Sequence, residues 1–545
     1  MPGKVRAQAL PAKIPQPPAS QLNFDERTSK LASPGNRSRW LHSLLPSVAD
    51  LLFIALLLAL SCGALGRLLL RDGDTGWHIR NGQQILRTHA IPRVDSFSAT
   101  MSGHAWYAWE WLYDLLIAAI HQVFGLNGVV FYTAAIIAAT FVLTFYLAMR
   151  RGGGLFCTLF LVVLSLAASA VHFLARPHVV SWLFTVIWFE LLDSSNHRRL
   201  VYLPPLMLLW VNLHGGFLLG FMLLGIYLFA GIVRYFAEKE QRAESAFWLK
   251  RLSLVTALSA LATLVNPYGY RLHIHLYQYL SDRFLMDRIT EFRAPDFHGP
   301  AQQCFAILLL IAIVTLTSAR RKPPLVHVLV ILFAAFSGLY ATRNLPTSSL
   351  LLVLLLAPML SQSVAGAGDN PGIASWLRGL FSNVQTFGAR MSAFDLELHS
   401  HYWLVLVFAL GLWACAHGGR LGATQLLNAY FDDKRFPVRA AEVIEGRGIH
   451  EPIFCPDLWG GYLIYRLYPE TKVVVDDRHD LYGDEFFKDY LRIVFVQPDW
   501  SKLLDERHVN LILVQQDSSL ASILRQTPPW ALVYQDSTAA LFERK

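Results

Sequence analysis

Charge is scarce in this sequence. Asp, Glu, Lys and Arg make up 16% of 545 residues, against 54% hydrophobic ones. That balance excludes a string of soluble domains, whose composition carries roughly a quarter charged residues. Cysteine is sparse too: there are five, and Cys62, Cys157 and Cys304 lie inside apolar runs. They show no paired or metal-ligand spacing, so neither a disulfide framework nor a zinc site follows. Residues 1–45 contain no apolar segment, are rich in proline and basic residues, and read as a disordered tail. The first apolar run starts too late, and lacks the small-residue cleavage site, for a cleavable signal peptide. No internal repeat is visible.

What the chain has in quantity is long apolar runs. About eleven are candidate membrane spans, each judged against the roughly 20 residues a helix needs to cross. They lie near 46–70, 128–148, 154–173, 178–193, 199–214, 216–234, 250–266, 301–318, 324–341, 345–363 and 401–417. The stretch 111–124 is short and carries Asp114 and His121, which predicts a helix lying at the interface. The net charge of +8 resides in short basic loops beside these runs. With the tail in the cytoplasm, the loops at Arg150–Arg151, 196–199, 234–251 and 320–322 are also cytoplasmic. This is the positive-inside pattern, not a nucleic-acid face.

The same topology predicts that the polar motifs share the opposite, extracytoplasmic face: the loop 71–111, Arg176-Pro-His178, 212–216, 266–270, 291–296 and 342–346. Ionisable groups gathered at one membrane face point to a site for a charged ligand. From about Phe436 the pattern changes to a soluble α/β domain, 436–545, on the same side. Its expected strands are 452–455, 472–475, 511–514, 531–534 and 539–542, and its expected helices 438–445, 460–467, 485–494 and 500–506. The strand 472–475 ends in a cluster of charge, Asp476 to Asp480, a common location for ligand contacts in α/β sheets.

The first loop carries the densest chemistry. Asp72 and Asp74 flank a glycine and can bind a divalent cation or take a proton from a reacting hydroxyl. The bland alternative is an acidic turn capping a helix from Thr75. His78 and Glu110 are further candidate catalytic groups. Trp77 and Trp109 can stack on a sugar or anchor at the interface; Asp95 and His214 join them as candidate acceptor contacts. Arg176, His178, Arg293 and Arg343 are candidate phosphate ligands, a task for which the guanidinium fork is well shaped. Each could equally pair a carboxylate.

A first span, a large external loop with an early Asp, many spans and an external α/β domain together resemble the GT-C class of integral-membrane glycosyltransferases. So do Asp74-Thr-Gly-Trp-His78, Ile91 to Ser98, Trp109-Glu-Trp-Leu112, Trp459 to Leu463 and Val475 to Gly483. They are similar to bacterial members related to protein O-mannosyltransferases and aminoarabinose transferases. The resemblance implies a polytopic α-helical protein of the bacterial inner membrane, with a polyprenyl-phosphate-sugar donor and transfer to an extracytoplasmic glycan, lipid or protein. It implies Asp74 as base, with Asp72 next, and basic residues on the donor phosphate. The WWDYG signature of oligosaccharyltransferases is absent, which argues against protein N-glycosylation. Two other readings compete: a transporter of a lipid-linked intermediate, whose ionisable groups would sit near the midplane, and a non-catalytic cell-envelope assembly protein.

Overall fold

The computed structural model describes residues 44–319, 322–368, 370–398 and 401–545. The expected tail, apart from its last two residues, and most of the expected basic loop 320–322 lie outside these. Helix α1 (Val48–Ser61) opens on a capping box in which Ser47 Oγ accepts from the Asp50 amide and Asp50 Oδ2 from the Ser47 amide, both at 3.1 Å. Cys62 interrupts the expected first span, and α2 (Gly63–Leu68) completes it. Helix α3 (Asp74–Thr88) then runs through the first loop.

Helix α4 (Trp111–Arg150) is broken at Gly125, whose φ of 60° and ψ of −159° suit glycine alone. The segment expected at the interface is thus a separate leg from the span that follows. The bundle continues with α5 (Leu155–Ser169), α6 (His178–Leu192), α7 (Leu203–Leu213), α8 (Leu218–Ala237) and α9 (Arg242–Ala262). The short α10 (Arg271–Ser281) and α11 (Arg283–Met286) lead to α12 (Pro300–Ser318), α13 (Leu325–Tyr340) and α14 (Leu345–Gly368). Leu350 to Ala357 of α14 are all buried, as expected of a helix that is apolar on every side and central in its bundle.

Among the described residues, five helical stretches are long and apolar enough to cross a membrane, and four shorter apolar helices accompany them. Two of the eleven expected spans fit neither group. Prolines at 204 and 205 and the His214-Gly-Gly turn confine α7 to 11 residues, and the first half of α9 carries Arg242, Glu244, Lys250 and Arg251. Helix α15 (Ser375–Leu396), unassigned in the sequence, packs Phe387 flat on Phe156 with ring centroids 5.7 Å apart. Its apolar positions are interleaved with Arg378, Asn383, Gln385 and Arg390, which hides it from a search for spans. Helix α16 (Tyr402–Ala416) closes the bundle. Away from the polar motifs, Arg151 holds Asp193 at 2.5 Å and Glu190 at 2.7 Å, and Tyr227 donates to Asp193 at 2.7 Å.

A two-residue hairpin, β1 (Arg420–Leu421) with β2 (Thr424–Gln425), leads into the C-terminal α/β segment. There α17 (Val438–Arg447), β3 (Ile453–Phe454), α18 (Asp457–Leu467), α19 (His479–Val494) and α20 (Trp500–Glu506) precede β4 (Leu511–Gln515), α21 (Ser519–Leu524), β5 (Trp530–Gln535) and β6 (Ala539–Arg544). The sheet order is β3-β4-β6-β5, with β3 parallel to β4 and the other pairs antiparallel. Residues 472–475 form no strand of that sheet's ladder. Val473 makes single parallel bridges to Ile453 and, in the first loop, to Ser98. The Ala99 amide donates to Val473 O at 2.8 Å, so this extended stretch is shared between the loop and the C-terminal segment.

Helices α3 and α18 meet backbone to backbone. A Cβ on Gly76 would lie 2.3 Å from Gly461 O, and one on Gly461 would lie 2.4 Å from Gly73 O. Neither neighbour can move without shifting a helix. Gly461→Ala is therefore expected to cost about 1–3 kcal/mol through overpacking, lowering the thermal midpoint and exposing the C-terminal segment to protease. Gly446→Ala, in a helical position with open space around it, serves as the control and should leave both unchanged or slightly improved.

Candidate active site

Asp74 starts α3, and the turn before it serves two ends. Asp72 Oδ1 accepts from the Asp74 amide at 3.1 Å, which is the capping role an acidic turn was expected to have. The remaining oxygens face Arg176, with Asp72 Oδ2 at 3.0 Å and Asp74 Oδ2 at 2.7 Å from its guanidinium. The other Asp74 oxygen accepts from the Trp77 indole at 3.1 Å. Arg176 also lies 3.8 Å from Glu291, which in turn lies 3.7 Å from Arg343.

These groups border a cavity of about 500 Å³. Its walls come from the first loop, the Arg176 turn, the His214 turn, the loop around Glu291, the Arg343 turn and the C-terminal residues Asp477 to Asp480. All six are segments whose polar residues the sequence assigns to one face. The C-terminal contribution is an acid, Asp477, whose carboxylate clusters with those of Asp72 and Asp74 within 4.8 Å.

The carboxyls divide the available protons unequally. Burial alone would push Asp74 up, but Arg176, Asp477 and His78 outweigh it and hold Asp74 below the usual carboxylate range. Burial and then the neighbouring Asp74 charge push Asp72 up, and the same two causes push Asp477 well above its ordinary value. Glu291 is driven down by Arg343 and Arg176 against the effect of burial. Glu110 behaves differently. Burial carries it to about 7, with His78 only partly opposing.

Glu110 lies between two histidines, 3.7 Å from His78 Nε2 and 3.6 Å from His214 Nε2. His78 is buried, and its Nδ1 lies 2.5 Å from Asp114, which also accepts from Asn81 at 2.5 Å. Burial opposes a charge on His78, but Asp114 outweighs it and raises its proton affinity. His214 is lowered to about 3, by burial first and then by Arg343 and Arg176. Its Nδ1 meets Ser181 Oγ at 2.7 Å, and Ser181 accepts from the Trp210 indole. The sequence did not single out Ser181. Asp114 and Asp477 were noted only as an acid in an apolar stretch and as part of a charged strand end.

Other expected site residues have different surroundings. Trp77 and Trp109 line the cavity, Trp109 beside His275 and Tyr279. His178 is in the wall, with Nε2 2.8 Å from the His172 carbonyl. Asp95 is buried away from the cavity, where Arg478 Nη1 reaches it at 2.7 Å and Ser98 donates at 2.6 Å. Arg478 also pairs with Asp476 at 2.7 Å and lies over the Trp106 ring. Asp95 thus clamps the first loop to the C-terminal segment, and its carboxylate is committed to Arg478 and Ser98. Arg293 is exposed and outside the lining; its backbone carbonyl accepts from the Thr342 amide at 2.9 Å.

No family model and no curated protein matches the chain. Solved structures do. The archaeal oligosaccharyltransferase AglB from Archaeoglobus fulgidus, in complex with an inhibitory peptide and a dolichol-phosphate, is 10% identical with a TM-score of 0.50, over 91% of this chain and 74% of that one. ArnT from Cupriavidus metallidurans, bound to undecaprenyl phosphate, is 13% identical with a TM-score of 0.45, over 91% and 96%. The chain has the fold of the GT-C class of membrane glycosyltransferases.

Removing Arg478 would leave Asp95 and Asp476 buried without their counter-charge. Arg478→Gln is expected to cost about 3–5 kcal/mol, read as a lower thermal midpoint. In a double-mutant cycle with Asp95→Asn, the second change should cost little once the first is made.

Proposed function

We propose that the protein is a membrane glycosyltransferase that moves a sugar from a polyprenyl-phosphate-linked donor to an extracytoplasmic acceptor, whether a cell-envelope glycan, a lipid or a protein. One observation carries this reading: a cavity in which Arg176 and Arg343 stand beside the carboxyls of Asp74, Glu110 and Glu291. The acceptor hydroxyl attacks the anomeric carbon, its proton passes to a carboxylate, and the glycosidic C–O bond breaks with its electrons on the departing polyprenyl phosphate. Arg176 and Arg343 would receive that phosphate charge. The basic loops support a cytoplasmic N-terminus and an extracytoplasmic site, and the resemblance implies a bacterial inner membrane. A transporter reading gains nothing from groups collected at one end of the bundle.

The resemblance implies an aspartate of the first loop, Asp74, as base. Its being held ionised supports that role, although Arg176 and Trp77 occupy both of its oxygens. Glu110, in the same loop, has a proton affinity near neutrality, matched to general-base work, and is the second reading. The oxygen-only set Asp72, Asp74 and Asp477 suits a hard divalent cation, and the buried Asp477 Oδ1 has no hydrogen-bond partner. Such an ion would add positive charge for the leaving phosphate.

The test follows release of free polyprenyl phosphate from a panel of polyprenyl-phosphate sugars by purified protein. Release by wild type and its loss in Asp74→Asn is the expected result; no release from any donor by folded protein would count against the reading. The pH dependence assigns the base. With Glu110 as base, the rate rises as pH rises through about 7, and Glu110→Gln removes that limb with a loss of about 10²–10⁴-fold. With Asp74 as base, the rate is already level across that range.

A separate test, of the divalent cation, uses stability alone. Mn²⁺ is expected to raise the thermal midpoint of wild type and not of Asp477→Asn.

A further inference from the structure

The charged helix α3 has two working faces. Asp74, Trp77 and His78 face the cavity or its border, while Arg80 and Gln83 open onto a second cavity of about 410 Å³ between α3, the Gly125 break of α4 and the C-terminal helices α17 and α18. No described carboxylate lies within ion-pairing distance of Arg80. Its Nε donates to the Tyr465 carbonyl at 2.8 Å and its Nη1 to Gln83 at 3.1 Å, which holds the guanidinium at the cavity wall. Arg466 borders the same space, with one nitrogen engaged by Glu445 at 2.9 Å. His121 and the Tyr465 hydroxyl meet at 2.9 Å.

One wall group lacks any partner. Tyr462 is 1% exposed, and its hydroxyl, buried in this lining, makes no hydrogen bond. A buried phenol left unpaired is costly unless a ligand or water completes it. Two guanidiniums and phenol hydroxyls form a donor-rich wall suited to phosphate oxygens. Leu126, Phe431 and Val438 add apolar lining.

The depth of the cavity identifies the carrier of the phosphate. His121 ends the interfacial leg of α4, and Leu126 begins the apolar helix after the break. Val123 between them is 68% exposed, and Leu65 and Leu68 at the end of the first span are 48% and 46% exposed, so apolar side chains beside the cavity lack a protein partner. The cavity thus lies where headgroups give way to hydrocarbon. We propose that it binds the phosphate of a membrane lipid, with Arg80 as the principal contact and Tyr462 and Arg466 completing the site. It is separated by α3 from the candidate active site and does not depend on that site being catalytic.

The test is binding of dioctanoyl phosphatidic acid to the full-length protein in uncharged detergent, read by native mass spectrometry, with dioctanoylglycerol as the lipid lacking phosphate. Phosphatidic acid is expected to bind and dioctanoylglycerol not. Arg80→Gln should weaken one binding event by about tenfold or more, at an unchanged thermal midpoint. Arg343→Gln, at the other cavity, should leave that event intact. Tyr462→Phe provides a milder variant should Arg80→Gln fold poorly, and should weaken the same event. Competition by glycerol 3-phosphate at concentrations where the lipid binds would assign the site to soluble phosphates and overturn the lipid as its source. Equal binding of both lipids, or binding unaffected by either variant, would overturn the site.

Discussion

The contact between α3 and α18 is the constraint on which the site depends. Two helices can bring their backbones this close only where neither carries a side chain, and Gly73, Gly76 and Gly461 supply that at the crossing. The approach has a chemical consequence. It sets the turn after residue 475 against the start of α3, so that Asp477 reaches the Asp72–Asp74 pair although roughly 400 residues separate them in sequence. The bridge from Val473 to Ser98 and the Arg478 clamp on Asp95 hold the same register from the other side of the loop. Three unrelated kinds of contact thus agree on one placement, which is how a mostly irregular loop can be held rigid enough to position charges.

Within that frame, the electrostatics follow from an imbalance. Asp72, Asp74, Asp477, Glu110 and Glu291 border or approach a space lined by Arg176, Arg343 and Arg478, the last already paired with Asp95 and Asp476, and buried carboxyls in excess of counter-charge cannot all ionise. Asp74, 2.7 Å from Arg176, and Glu291, between Arg176 and Arg343, are lowered. Asp72, although 3.0 Å from Arg176, is raised by burial and by the Asp74 charge, and Asp477 and Glu110 are raised by burial first. The result is a set of groups of unequal proton affinity beside arginines, the division of labour that the proposed transfer from a phosphate would require.

Much of this was legible from residue types, and the limits have physical causes. Long apolar runs and their basic loops are one-dimensional signals, and five of the six polar motifs assigned to one face by that counting contribute to one cavity, the exception being 266–270. Side-chain direction in irregular backbone is not such a signal. Arg293 and Arg343 read alike in sequence, yet one points outward and the other meets Glu291. Asp95 read as a polar group of a reactive loop, because its partner Arg478 lies 383 residues away. At the strand end, extended backbone alternates sides. Asp476 and Arg478 therefore pair with each other, and Asp477 between them faces the acids of the first loop. Period two would have separated 477 from its neighbours; nothing in the sequence said which side was the cavity.

Helix α3 also explains why acids and bases can coexist so closely. Residues three and four apart share a helical face, so Asp74, Trp77 and His78 fall together, while Arg80 and Gln83 fall on another side. The helix body, with its buried Ile79, Asn81 and Gly82, stands between the two sets. Gly82 lets it lie directly on α4, where a Cβ would meet the Asp114 carbonyl at 1.9 Å. That same close seating brings Asp114 to His78 and Asn81. A single amphipathic element thus fixes the acid cavity on one side and leaves a basic, tyrosine-lined one on the other, and its position is set by glycines rather than by the charges it carries.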